Sequence, residues 1–245
     1  TRTRTRTRTM NGPTPMPATA PLDIGTAANA LATGQAVILP NPSPLTYVVA
    51  ATTPEAVNNA KARPADQEVA LWVHSDTTWT ELTPALDLTP AALGTALNLL
   101  RVEMITLLVP VRTDTVPPVW ATPALRDGHL LLFGAHWPPL ARLLARFPRL
   151  YVSSANRTGR PPAPTATHAT AMFGPDITVV DADGLRDTGT LHAATTMLRI
   201  SSDGTLTHIR HGAQDHAHGS NPQHYLRHLD RARGVEPDVT SSAGR

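Results

Sequence analysis

Short apolar runs alternate with stretches of helical spacing along most of this chain. Residues 36–39, 69–73 and 130–133 are continuous apolar runs of strand length, and 105–111 is apolar but for Thr106 and Pro110. Runs of that kind predict strands buried on both faces, and 47–51 reads the same way. Helical candidates stand between them. Asp23 is placed to cap a helix to about residue 32, with Gly34 as its stop. Thr53-Pro54 and Thr89-Pro90 put a capping hydroxyl before a proline at the first helical position, predicting helices to about residues 60 and 100. Over 138–147, Leu140, Leu143 and Leu144 fall on one helical face and Arg142 and Arg146 off it. Residues 150–152 predict a strand, 165–173 a short helix and 177–180 a strand. Segments 196–200 and 206–209 flank Asp203-Gly204 as a hairpin. The alternation predicts one α/β domain, a mixed sheet covered by helices. The Thr-, Arg- and Pro-rich residues 1–21 predict disorder. So do most of residues 213–245, which are polar and His-rich, with one helix near 225–231.

Composition adjusts this picture in three places. Aromatic residues make up only 4% of the chain, so the core must be built from Ala, Leu and Val. There are no cysteines, which excludes disulfides, thiolate nucleophiles and Cys-based metal sites. No apolar run reaches the roughly 18 residues of a membrane helix and no apolar leader is visible, so a cytoplasmic protein without membrane contact is expected. The formal charge of +2 depends on the Thr-Arg repeat. Without Arg2, Arg4, Arg6 and Arg8 the body carries 17 basic and 19 acidic residues, so bulk charge does not mark it as a nucleic-acid surface. The late histidines (His208, His211, His216, His218, His224, His228) read as a solvated tail, because structural zinc needs four fixed ligands. No metal-ligand set is expected.

Among 21 basic residues a single one, Lys61, is lysine. A chain that uses arginine everywhere else keeps a compact ammonium here, in Lys61-Ala62-Arg63-Pro64, just after a helix. Pro64 biases Arg63 toward an extended conformation. A cation at a helix end also complements the helix dipole, which is the surface alternative. The second segment, Ser153-Ser154-Ala155-Asn156-Arg157-Thr158-Gly159, follows a strand directly. Hydroxyl and amide side chains with free backbone N–H groups at a strand's carboxyl end can cradle phosphate, although the same residues also make plain turns.

Together the two segments resemble the signature of the YrdC-like family of threonylcarbamoyl-AMP synthases, K-x-R-P followed some 90 residues later by S-A-N-x-S/T-G. Ala36-Val37-Ile38-Leu39-Pro40 is similar to the family's opening strand, and Ala56-Val57 to the pair before its lysine. Thr106-Leu107-Leu108, Thr195-Thr196-Met197 and Ile209-Arg210-His211-Gly212 fall in order behind them, so the resemblance runs from about residue 23 to 212. Three places depart from the family pattern. T-D/E-T is Ser43-Pro44-Leu45, W-P-G-P is Arg101-Val102-Glu103-Met104, and the arginine of V-R-hydrophobic-P is replaced near Phe133.

The resemblance implies a YrdC-like (DHBP synthase-like) domain over residues 22–212, a twisted mixed sheet flanked by helices around a concave cleft. It implies a nucleotidyltransferase joining ATP, bicarbonate and L-threonine into threonylcarbamoyl-AMP and pyrophosphate for tRNA modification. Lys61 and Arg63 would be catalytic; Ser154, Asn156 and Arg210 would bind nucleotide, and Thr46 and Tyr47 the amino acid. Magnesium would ride mainly on the ATP phosphates. The departures imply ATP binding with weak or absent turnover on threonine, and leave the amine position open to another amino acid or amine. A non-catalytic protein that binds nucleotide or double-stranded RNA on the concave face is the alternative.

Overall fold

In a computed structural model, the described residues are 22–234. The disorder expected for 1–21 and 235–245 lies outside them. In chain order the elements are α1 Gly25–Ala32, β1 Val37–Leu39, β2 Val48–Ala51, α2 Pro54–Ala60, β3 Ala70–Trp72, α3 Asp76–Leu82, α4 Pro90–Arg101 and β4 Thr106–Pro110. There follow β5 Leu125–Arg126, β6 His129–Phe133, α5 Ala141–Leu144, β7 Tyr151–Ser154, α6 Ala166–Phe173, β8 Thr178–Val179, β9 Met197–Ile200, β10 Leu206–Arg210, α7 Ala213–His216 and α8 Pro222–Ala232. Among the described residues the strands form one mixed sheet in the order β10-β9-β4-β6-β3-β7-β2-β1-β8, with β5 beside β6. The β1–β8, β3–β6 and β4–β9 pairs are parallel and the others antiparallel.

The Thr-Pro helix openings follow the expected chemistry, whereas α1 has Ile24 rather than Asp23 as its N-cap, and Asp23 Oδ1 accepts only from Gly25 N at 3.2 Å. Thr53 Oγ1 accepts from Ala56 N and Thr89 Oγ1 from Ala92 N, both at 3.3 Å. Ser75 caps α3, a helix with only Trp79 and Leu82 as large apolar anchors and not foreseen from the sequence. The helix expected over 138–147 is shorter. Pro138 and Pro139 confine its start to a 3-10 turn, and α5 itself holds four residues. Leu140, Leu143 and Leu144 are nonetheless buried.

Strand alternation sends side chains to two faces. Val49, Leu71, Leu107, Leu132 and Leu198 pack on one face with Val57 of α2, Leu99 of α4 and Phe173 of α6. On the other face Val48, Ala70, Trp72 and Val152 meet Ala28 and Leu31 of α1 and Leu143 of α5. That second layer covers this face only in part, and the rest of the face lines a cleft. Among the described residues, no helix is long and apolar enough to cross a membrane.

The expectation of a mostly disordered tail from residue 213 is corrected as far as residue 234. Asn221 caps α8, Pro222 opens it, and Tyr225, Leu226 and Leu229 sit on one face, buried in the main core. The polar, His-rich surface of the helix conceals this narrow apolar stripe in composition. Leu229 is 2% exposed, so Leu229→Ala is expected to cost about 2–5 kcal/mol, while Arg227→Ala on the outer face changes stability by less than about 0.5 kcal/mol. Urea unfolding of the two variants checks this.

Candidate functional site

The uncovered part of the sheet forms the floor of a cleft of about 380 Å³, with Val48, Ala70, Leu131, Phe133, Val152 and Met197 beneath polar walls. α2 delivers the first wall. The helix ends at Ala60, Lys61 is its C-cap, and Ala62 takes a left-handed φ of +52°. That conformation costs a residue with a Cβ about 1 kcal/mol, and it reverses the chain so that the Lys61 side chain enters the cleft.

Lys61 is only 5% exposed. Its Nζ donates to Ser153 Oγ at 3.0 Å, to Asn156 Oδ1 at 2.9 Å and to the Ser154 carbonyl. Three acceptors match the three donors of an ammonium. No carboxylate among the described residues offsets its charge, and burial, with neighbouring Arg63 second, lowers its pKa to about 7. The surface alternative, a solvated cation at a helix end, does not fit so buried a lysine.

Arg63 lines the same wall. Its Nε donates to Asn58 Oδ1 at 2.5 Å and its second terminal nitrogen to the Glu68 carbonyl at 3.2 Å. Burial lowers its pKa, against the raising effect of Glu68. Asn58, fully buried, also donates to the Ala65 and Gln67 carbonyls at 2.8 Å each, so the loop after α2 is wrapped around it. Sequence reasoning missed Asn58. The available signal was an amide at the end of a short helix's apolar face, three residues before the lysine.

β7 delivers the opposite wall. Ser154 Oγ donates to Asn156 Oδ1 at 2.6 Å, and Asn156 Nδ2 donates to the Arg160 carbonyl at 2.8 Å. The backbone N–H groups of Ala155, Asn156 and Arg157 are engaged by Tyr47 O, Ser154 O and Met172 Sδ. The expected cradle of free peptide N–H groups is thus absent at these three residues, and the polar surface of this wall is made by side chains.

Arg210, at the end of β10, donates to the Thr195 carbonyl at 3.1 Å and lines the cleft from the third side. Thr46 lines it too, its carbonyl accepting from Asn41 Nδ2 at 2.8 Å. Tyr47 does not. Adjacent residues of an extended chain face opposite ways, and its ring is fully buried in the main core. Its hydroxyl donates to Asp183 Oδ1 at 2.9 Å and accepts from Ala182 N at 3.2 Å. Burial above all raises its pKa. The amino-acid-binding role expected of Tyr47 is withdrawn.

The structure therefore brings Lys61, Arg63, Ser154, Asn156, Arg210 and Thr46 to one cleft. Asn41, Glu68 and the Thr106–Thr195 hydroxyl pair also line it, and sequence reasoning did not single them out as site residues. Three cations face a single lining carboxylate, Glu68, which already accepts from Arg126 at 3.0 Å. Such a cleft favours anions.

A family model described as telomere recombination, covering the Sua5, YciO and YrdC proteins, matches residues 29–212. No curated protein matches the chain by sequence. Among solved structures, P. abyssi Sua5 complexed with L-threonine is 21% identical with a TM-score of 0.57, over 76% of this chain and 53% of that one. This chain thus spans about half the length of that relative. E. coli YciO is 12% identical with a TM-score of 0.53, over 77% of this chain and 88% of that one. Full-length HypF in its phosphate- and nucleotide-bound form is 14% identical with a TM-score of 0.58, over 78% of this chain and 29% of that one. At these identities the likeness is one of fold.

The buried Lys61 has a consequence for stability. Its folded pKa, about 7, lies below the ordinary lysine value of 10.5. Between those values the unfolded chain binds the proton and the folded one does not, so stability rises with pH across that window. Below about pH 7 the full penalty remains. Lys61→Met removes this dependence. Its stability relative to wild type is expected to be higher at pH 6 than at pH 9.5 by roughly 2–4 kcal/mol, read from urea unfolding at both values. A difference independent of pH contradicts it.

Proposed function

This chain belongs to the Sua5/YciO/YrdC family, and on that footing we propose that it is an ATP-dependent carbamoyl-adenylate synthase acting on an amino acid or related amine. One observation carries the reading. Lys61, Arg63 and Arg210 converge with Ser154 and Asn156 on a single cleft over an apolar sheet floor. The fold neighbours add support, one solved with L-threonine and one with phosphate and nucleotide.

The amine and bicarbonate condense to a carbamate with loss of water. A carbamate oxygen then attacks the α-phosphorus of ATP, the bond to the β-phosphate bridging oxygen breaks, and pyrophosphate leaves with that electron pair. Such a displacement between anions needs positioning and charge neutralisation more than covalent help from the protein. Lys61 is the group best placed for it. Its ammonium is held by neutral acceptors alone, so its charge is available to a phosphate. Arg63 stands on the same wall, Arg210 approaches from the third side, and Thr46 lies on the side assigned to the amine. Glu68, the only lining carboxylate among the described residues, is taken up by Arg126. Magnesium is therefore carried by the ATP phosphates and water rather than by a protein cage.

The family's acidic T-D/E-T element is replaced here by Ser43-Pro44-Leu45, and Leu45 lines the cleft. Ser43 Oγ is engaged with His192 Nε2 at 2.9 Å and accepts from Asp187 N at 3.0 Å. An apolar side chain at this position favours an amine other than threonine.

Incubation with ATP, bicarbonate and each amino acid in turn, read as pyrophosphate release, tests the reaction. The expected result is release with some amine and little with threonine. No release with any amine, together with no heat of ATP binding by calorimetry, removes the reading. At the level of binding, a charge-assisted hydrogen bond contributes about 1.5–3 kcal/mol. Lys61→Ala is expected to weaken ATP binding about ten- to a hundredfold. Lys61→Arg is also impaired, because the planar fork cannot place a point charge among the same three acceptors. Equal affinities in wild type and both variants contradict the assignment.

A further inference from the structure

The end of β10 carries a cluster of side chains that the cleft does not use. We propose that His208, His211 and Asp215 form a site for one transition-metal ion of the Zn(II) type. His208 Nε2 lies 2.5 Å and His211 Nδ1 2.9 Å from the same oxygen, Asp215 Oδ2. The three donor atoms all fall within 4.8 Å of one another. The local fold produces this convergence. An irregularity between His208 and Arg210 shifts the register of β10, and the first turn of α7 carries Asp215 back over the strand end.

Charge and donor type both point to a cation. Asp215 is 1% exposed, and its ion-pair partners among the described residues are these two histidines, with no Lys or Arg. Buried carboxylates are paired with a cation or coordinate a metal, and both side chains that meet this one are imidazoles, themselves metal ligands. Two imidazole nitrogens and one carboxylate oxygen are a ligand set suited to Zn(II) or Co(II), with the remaining position left to water. The carboxylate is already oriented. Its second oxygen accepts from Gly212 N at 2.9 Å, and the Asp215 backbone N–H donates to Thr196 Oγ1 at 3.2 Å. Supporting hydrogen bonds of this kind accompany metal-binding carboxylates. The His211 side chain is 52% exposed, which gives an ion a route from solvent. Ligand bonds of about 2.0–2.1 Å require the three atoms to spread slightly, and the exposed His211 ring has room to turn.

The site would brace one wall of the cleft. Arg210 stands between the two histidine ligands in sequence. Gly212 packs so closely on the neighbouring segment that a Cβ there would lie 2.2 Å from Thr196 N.

The test uses the full chain, stripped with a chelator and titrated with Co(II), then with Zn(II) as competitor. The expected result is one Co(II) per chain with an intense visible absorption, displaced by Zn(II). His211→Ala, exposed enough to leave folding intact, and His208→Ala should each weaken binding by about a hundredfold or more, at or beyond the upper end of the ~10–100-fold cost of losing a supporting partner. Replacing the other close histidine pair, His218 and His228, whose rings are 4.4 Å apart, should leave binding unchanged. No stoichiometric visible band means that Asp215 is held by imidazole hydrogen bonds alone, and overturns the proposal. Retention of the band in both His208→Ala and His211→Ala, or its loss in the His218/His228 variant, overturns it as well.

Discussion

A lysine ammonium buried without a counter-charge is the constraint around which this molecule is arranged. Lys61 is satisfied by a hydroxyl, an amide oxygen and a carbonyl, none of which neutralises it. Hydrogen bonding replaces the lost water geometrically, and the cost of removing the charge from bulk water remains. A fold carries such a cost where the charge has a use. An anion in the cleft would recover much of it.

Much of the surrounding structure holds that lysine in place. The left-handed Ala62 and the amide of Asn58 set the turn after α2, and Ser154 and Asn156 are bonded to each other as well as to the ammonium. The sheet makes the space. Its main-core face is covered by α2, α3, α4, α6 and α8, whereas α1 and α5 cover only part of the other. A core of small side chains suits this plan, because facing layers of Ala, Val and Leu pack closely without large rings.

The strands were legible in the sequence because a strand buried on both faces reads as a continuous apolar run. Helices opened by Thr-Pro were legible because the cap and the proline act locally. α3 and α8 were harder to read, since each is held by two or three apolar side chains on an otherwise polar surface. At the site, Lys61 was visible as the lone lysine of an arginine-using chain. Asn58 was not, because its role depends on carbonyls of a loop whose path the sequence does not reveal. Tyr47 was assigned to the cleft by resemblance, and the alternation of an extended chain turned it to the other face. Asp215 was overlooked inside a polar tail, although the strand end brings two histidines to its carboxylate.

Because Lys61 is the only lysine in the chain, its side-chain nitrogen can be observed alone. Lysine-selective 15N labelling and NMR titration of Nζ, without and with ATP, read its ionisation directly. A free-state pKa near the value of about 7 to which burial lowers it, moving upward when ATP is bound, is the expected result. A pKa near the ordinary lysine value of about 10.4, unmoved by ATP, would contradict the whole account of the cleft.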